Sequence, residues 1–129
     1  MTGNKVFADT NIFIDLMKGD TEIAQNLESF SIVYLSPIVL SELYFCACRS
    51  ANPAKNLAKI SIAVRNSKML TIDAETAEIY VSTKVALLAK GKPIPENDIW
   101  IAASAIQHNL LLYANDNHFK EVERIQLFS

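Results

Sequence analysis

The sequence predicts an α/β protein, a three-layer α/β/α sandwich built on a mostly parallel central sheet. Three observations lead there. Short apolar runs alternate with longer stretches whose apolar residues recur at helical spacing. The short runs are continuously apolar, as strands covered on both faces must be. Glycine and proline are scarce, three and four residues, and nearly all stand where one segment gives way to the next.

Taken in order, Lys5-Val6-Phe7-Ala8 reads as a buried strand ending at Asp9. Thr10 to Lys18 forms a short helix, stopped by Gly19. Thr21 to Phe30 is a second helix, with Ile23, Ala24, Leu27 and Phe30 on one face. Ile32 to Leu35 is the next strand. Ser36-Pro37 opens a helix running to about Ser50, because proline in the first turn loses no needed hydrogen bond. Pro53 opens another, to about Ser67, with Leu57, Ile60 and Val64 in register. Met69 to Ile72 is a third strand. Asp73 to Lys90 is a long amphipathic helix ending at Gly91, and prolines hold Lys92-Pro93-Ile94-Pro95 extended. A helix follows from Glu96 to about Asn109. Leu111 to Ala114 is a fourth strand, Asp116 to Val122 a short helix or turn, and Ile125 to Phe128 a last strand. No repeat or linker interrupts the order, so a single domain over residues 1–129 is expected.

A chain of 129 residues, half of them hydrophobic, can bury a real core. The longest apolar runs are too short to span a bilayer, and the opening residues hold no signal-peptide core. A cytoplasmic protein with no membrane partner is therefore expected. Cys46 and Cys48 stand two apart in an apolar stretch. On a helix they point apart, which rules against a bridge, and without nearby His they make no zinc site. Both are expected as buried small apolar residues. A net charge of −2 does not suggest a general nucleic-acid-binding module.

Four carboxylates stand where a fold has no structural need of them. Asp9 and Asp116 lie just past the first and fourth strands, at the carboxyl ends where α/β folds bind ligands. Glu42 is the only charge between Leu35 and Cys46. Asp98 opens a helix whose next residues are apolar, where the helix dipole favours an acid. Burying such groups unpaired costs several kcal/mol, at roughly that order. Neither His stands near Asp9, Glu42 or Asp98 in sequence, and no Lys or Arg stands at helical spacing on the inner side of Glu42 to neutralise them. Four oxygen donors without Cys or His favour a hard cation, Mg²⁺ or Mn²⁺. The alternative at this point is that Asp9 and Asp98 are plain helix-entry residues and Glu42 faces solvent.

The motifs around these acids resemble those of PIN-domain ribonucleases. Val6-Phe7-Ala8-Asp9-Thr10-Asn11 is similar to the family's opening. Ser41-Glu42-Leu43 resembles its second acidic element, Pro93-Ile94-Pro95-Glu96-Asn97-Asp98 its third, and Ala114-Asn115-Asp116-Asn117-His118-Phe119 its fourth. The likeness covers nearly the whole chain and comes nearest to VapC-type toxins of toxin–antitoxin pairs. It departs at Ala114, where the family often has Thr, and at Cys46, where it often has Gly; the latter is expected to change a helix-packing contact.

The resemblance implies a metal-dependent endoribonuclease. Asp9, Glu42, Asp98 and Asp116 would be both catalytic and metal-holding, with Asp9 and Asp98 as direct ligands. Thr10 and Asn11 would orient carboxylates, with helix capping as Thr10's other role. The partners implied are an RNA substrate, a cognate antitoxin and a second copy in a homodimer; Ile12 to Met17 and Ile38 to Cys48 offer a groove, a dimer surface or simply core. Lys90 and Lys92 flank the entry to Asp98 as candidate RNA contacts, or as ordinary solvated lysines. Trp100 is expected in packing rather than against a base, and His118 at the surface or in packing rather than in the site. The carboxylate cluster should destabilise the metal-free protein. The remaining readings are an RNA-processing nuclease without an antitoxin, an inactive PIN scaffold that acts by binding, and a flavodoxin-like or Rossmann-like binding module. The last expects a glycine-rich loop that Asp9-Thr10-Asn11-Ile12 lacks.

Overall fold

In the computed structural model, which describes residues 4–128, five parallel strands and six α-helices alternate along the chain. They are β1 (Lys5–Ala8), α1 (Thr10–Met17), α2 (Thr21–Glu28), β2 (Ile32–Leu35), α3 (Pro37–Cys48), α4 (Pro53–Arg65), β3 (Lys68–Met69), α5 (Ala74–Ala89), α6 (Glu96–Gln107), β4 (Leu111–Tyr113) and β5 (Gln126–Leu127). A 3-10 helix, Asn117–Glu121, joins the last two strands. The sheet order is β3-β2-β1-β4-β5. Val6 pairs with Val33 on one side and with Leu111 on the other.

Parallel strands need crossovers, and the helices supply them. Helices α1 to α4 pack as one group, in the spatial order α2-α1-α3-α4, and α5 packs along α6. That division follows from strand order: the crossovers run one way from β1 to β3 and then reverse to reach β4, and right-handed connections put the two sets on opposite faces. The expected three-layer sandwich is therefore the fold. Its centre is β1, whose Val6, Phe7 and Ala8 are fully buried, with Leu35, Leu112, Ile101, Phe13 and Phe119 around them.

The ends of the elements follow local chemistry. Asp20, Ser36, Asn52 and Asp73 cap α2, α3, α4 and α5, each accepting a hydrogen bond from the backbone N–H three residues on. Gly19 (φ 93) and Gly91 (φ 69) take the left-handed backbone that stops α1 and α5. The third strand differs from its expected span. It is Lys68–Met69, not Met69–Ile72, and both residues are exposed. It is a sheet edge with one neighbour, so apolar content does not mark it; only the bond from Leu70 N–H to Leu35 carbonyl, 2.8 Å, carries the ladder further.

Two helix faces lock the segment that carries Asp98. Thr76 hydrogen-bonds Gln107, and Gln107 Nε2 donates to Asp73 at 2.9 Å, joining the start of α5 to the end of α6. At the other end, Tyr80 and Lys84 both hold Glu96, and Tyr80 stacks on Trp100 with centroids 4.1 Å apart. Trp100 is thus packed between helices, as expected.

Candidate active site

The site opens where the strand order reverses. The chain leaves β1 towards β2 and β3 but leaves β4 the other way towards β5, so the connections after the carboxyl ends of β1 and β4 diverge and open a crevice. Asp9 and Asp116 follow those two ends. The Asp9 N–H still donates to Tyr113 carbonyl at 2.9 Å, which pins Asp9 to the sheet. Glu42 enters from the second turn of α3 and Asp98 from the first turn of α6. All four line one cavity of about 800 Å³, together with Thr10 and Asn11.

Asp9 is the deepest of the four, 4% exposed. Burial pushes its carboxyl up to about 7; the Thr10 backbone N–H works against this, and the charges of Asp98, Glu42 and Asp116 add to it. Burial also raises Asp98, opposed by a bond from His118 and assisted by Asp116 and Glu42. Glu42 is held by two donors. Thr10 Oγ1 donates to Oε1 at 2.5 Å and Asn97 Nδ2 to Oε2 at 3.3 Å. Thr10 is therefore not a cap; Asp9 holds the N-cap position of α1, with no side-chain bond. Asn11 is exposed at the cavity wall. Asn97 was not singled out from the sequence, although it adjoins Asp98 in the same first helical turn.

His118 corrects the sequence reading. Its Nδ1 lies 2.8 Å from Asp98 Oδ2 and 2.9 Å from Asp116 Oδ1. Helical spacing would send it away from Asp116, but Asp116 is not helical. It is the extended N-cap of the 3-10 helix, and its Oδ1 accepts the His118 N–H at 2.9 Å. That bond turns the ring back into the site, while fully buried Phe119 anchors the segment. The Asp98 bond raises the imidazole's basicity, against a smaller burial effect and with help from the Asp116 and Asp98 charges. A basic residue thus does reach the acids, from across the fold. Donor atoms of Asp98, Asp116 and His118 all lie within 4.8 Å of one another, a set able to hold a metal ion.

The cysteines also depart from expectation, since both are exposed. Val39, Leu43 and Ala47 take the inward face of α3, and Cys46 and Cys48 stand about 100° to either side of Ala47. Cys46 lines the cavity mouth rather than a helix-packing contact. Lys90 and Lys92 do not line this cavity. Lys90 is held at Glu121, by the backbone carbonyl and by the carboxylate at 3.7 Å, and Lys92 is exposed.

With this geometry in hand, the chain can be set beside known proteins. The PIN domain family matches residues 6–125. Ribonuclease VapC2 of Haemophilus influenzae is 33% identical over 123 residues, 94% of this chain and 92% of that protein. The tRNA(fMet)-specific endonuclease VapC of Shigella flexneri is 30% identical over 125 residues, 94% of this chain and 92% of that protein. Among solved structures, that of VapBC2 from Rickettsia felis, bound to a DNA fragment from their promoter, superposes with a TM-score of 0.91 at 27% identity, covering 96% of this chain and 97% of that one. A family match across nearly all of the chain, and relatives of this identity and coverage, have one consequence: the protein belongs to the PIN-domain family, among the VapC ribonucleases.

Proposed function

We propose that this protein is a divalent-metal-dependent endoribonuclease, the toxin of a toxin–antitoxin pair, which hydrolyses RNA phosphodiester bonds at the carboxylate crevice. The observation that carries this is the gathering of Asp9, Glu42, Asp98 and Asp116 around one cavity at the point where the strand order reverses. The donor chemistry fits a hard cation. Among the described residues no Lys or Arg pairs with any of the four acids. His118 is their one cationic partner, and it reaches only Asp98 and Asp116. Mg²⁺ or Mn²⁺ is the matching ion.

When bound, the cation supplies an activated water and neutralises charge on the scissile phosphate. Asp9 and Asp98 are the direct ligands in this reading, with Asp116 alongside. Glu42, its two oxygens fixed by Thr10 and Asn97, would help hold the ion and accept the proton of the attacking water. Asn11, at the cavity wall, is free to contact a substrate oxygen. Lys90 and Lys92 remain candidate phosphate contacts for the flanking RNA, Lys92 being the freer. The reading places the toxin in the cytoplasm, as a homodimer restrained by a cognate antitoxin. Among the described residues no helix is long and apolar enough to cross a membrane.

The test is cleavage of total RNA by purified protein with Mg²⁺ or Mn²⁺, beside chelator and the Asp9→Asn and Asp98→Asn variants. Cleavage is expected only with metal and wild-type carboxylates, a loss of at least a hundredfold in either variant. Folded protein that cuts no RNA with either ion would instead make this a PIN scaffold that acts by binding.

A further inference from the structure

Phe45 leaves 61% of its surface in water, yet it lines the carboxylate cavity. It stands three residues after Glu42 on α3, so the two side chains share a flank of the helix. The fold does not need it there, because Val39, Leu43 and Ala47 already form the buried face. Arg49 lies one turn further on, with its guanidinium carbon 5.2 Å from the Phe45 ring centroid. Among the described residues Arg49 enters no salt bridge. An aromatic ring at the mouth of an anionic cavity is thus held beside an unpaired guanidinium that lies outside the cavity lining.

We infer that Phe45 and Arg49 form the nucleotide-positioning platform of this nuclease, Phe45 stacking a base beside the scissile phosphate and Arg49 taking a neighbouring phosphate. The inference rests on the ribonuclease reading above. Its physical basis is a shortage of anchors. Four carboxylates repel RNA, and the chain's net charge is −2, so affinity needs contacts outside the metal. Base–aromatic stacking is strong and tolerant of sequence, because every base has a π face. Arginine adds a phosphate contact and a planar group that stacks with the ring. The substrate class is single-stranded RNA, since only an unpaired base exposes its face to a side chain. The cavity wall carries Asn11, Ser41 and Asn97 alongside Ile14, Cys46 and Pro95. A ring beside a cation, on a wall that mixes amide, hydroxyl and apolar side chains next to carboxylates, suits a nucleotide better than a purely apolar protein surface.

The test measures binding apart from cleavage. Oligoribonucleotides carrying 2-aminopurine at successive positions are titrated, in chelator, into Asp9→Asn protein, which has one repelling carboxylate fewer and leaves them uncut. Quenching is expected at one or two positions. Adding Phe45→Ala should abolish the quench and weaken binding about five- to a hundredfold, Phe45→Trp should restore both, and Arg49→Ala should lower the salt dependence by about one ion. Thermal melts should be unchanged in all three, because the residues are exposed. In the cleaving wild-type background, Phe45→Ala should raise KM and broaden the cut-site preference. Binding and quenching indifferent to Phe45→Ala, or not restored by Trp, would overturn the platform. So would a variant that binds RNA normally and is defective only in self-association or in holding a protein partner. A wild-type protein that never cuts RNA sinks the nuclease reading alone, because the quench does not depend on cleavage.

Discussion

Asp9 and His118 titrate in the same cavity, and each makes the folded protein less stable as pH rises. Asp9 is an acid whose folded-state pKa is raised from 3.8 to about 7. Between those values the folded protein holds a proton that the unfolded chain has lost, so stability falls as pH rises through that window and the penalty is complete above it. The shift corresponds to roughly 4 kcal/mol for a group this buried. Asp9→Asn removes the penalty. Urea denaturation in chelator should find the variant more stable by a few kcal/mol at pH 8 and nearly equal to wild type at pH 4; equal stability at both would mean that the acid is not strained. His118 is a base whose pKa is raised, chiefly by Asp98. Its stabilisation is complete below the unfolded value of 6.5 and is lost as pH rises through the folded one. His118→Ala should therefore lower the melting temperature of metal-free protein at pH 6 and leave it unchanged at pH 9. The same pairing tempers any stabilisation from Asp98→Asn, because that change removes a repelling carboxylate and the imidazole's partner together.

At the scale of elements, α1, α3 and α6 meet through Glu42. Thr10 is the first residue of α1 and Asn97 the second of α6, and each gives Glu42 one hydrogen bond. Thr10→Val keeps the shape and removes the donor. Because outer partners of metal-site carboxylates typically matter 10- to 100-fold, Mn²⁺ affinity by calorimetry should fall by about that factor with the melt little changed; undiminished affinity would leave Glu42 without a role at the ion. How these elements could be read from sequence varied with their surroundings. Inner strands β1, β2 and β4 announce themselves as apolar runs, and α3 and α5 by their capping residues. Edge strand β3 does not, because one neighbour and an exposed surface impose no apolar rule on Lys68 or Met69. Asp9, Glu42, Asp98 and Asp116 were legible as acids without a structural reason. His118 and Asn97 were not, since the first depends on the turn geometry at Asp116 and the second on the packing of α6 against α3. Cys46 and Cys48 misled because α3 is apolar on most of its surface, and hydrophobicity alone cannot say which face turns inward.

The whole molecule is a sandwich whose central strands hold mutually repelling charges at their carboxyl ends. In the proposed reading, that arrangement makes stability and activity respond to the same ion. Burial deprives Asp9 of water, and the strand reversal brings Asp116 beside it, so the geometry that builds the site also weakens the apo fold. A cation that binds the folded state and not the unfolded one adds stability that grows with the logarithm of its concentration, about 2.7 kcal/mol at a hundredfold excess over Kd. For a domain of this size, that should raise the melting temperature by roughly 10 °C, with each kilocalorie worth a few degrees. Chelator should reverse the rise. Asp9→Asn should begin from a higher melt in chelator and gain little from Mn²⁺, so that the two proteins converge as metal is added. Parallel gains in both, keeping the gap between them constant, would mean that the ion stabilises the protein from somewhere other than this crevice.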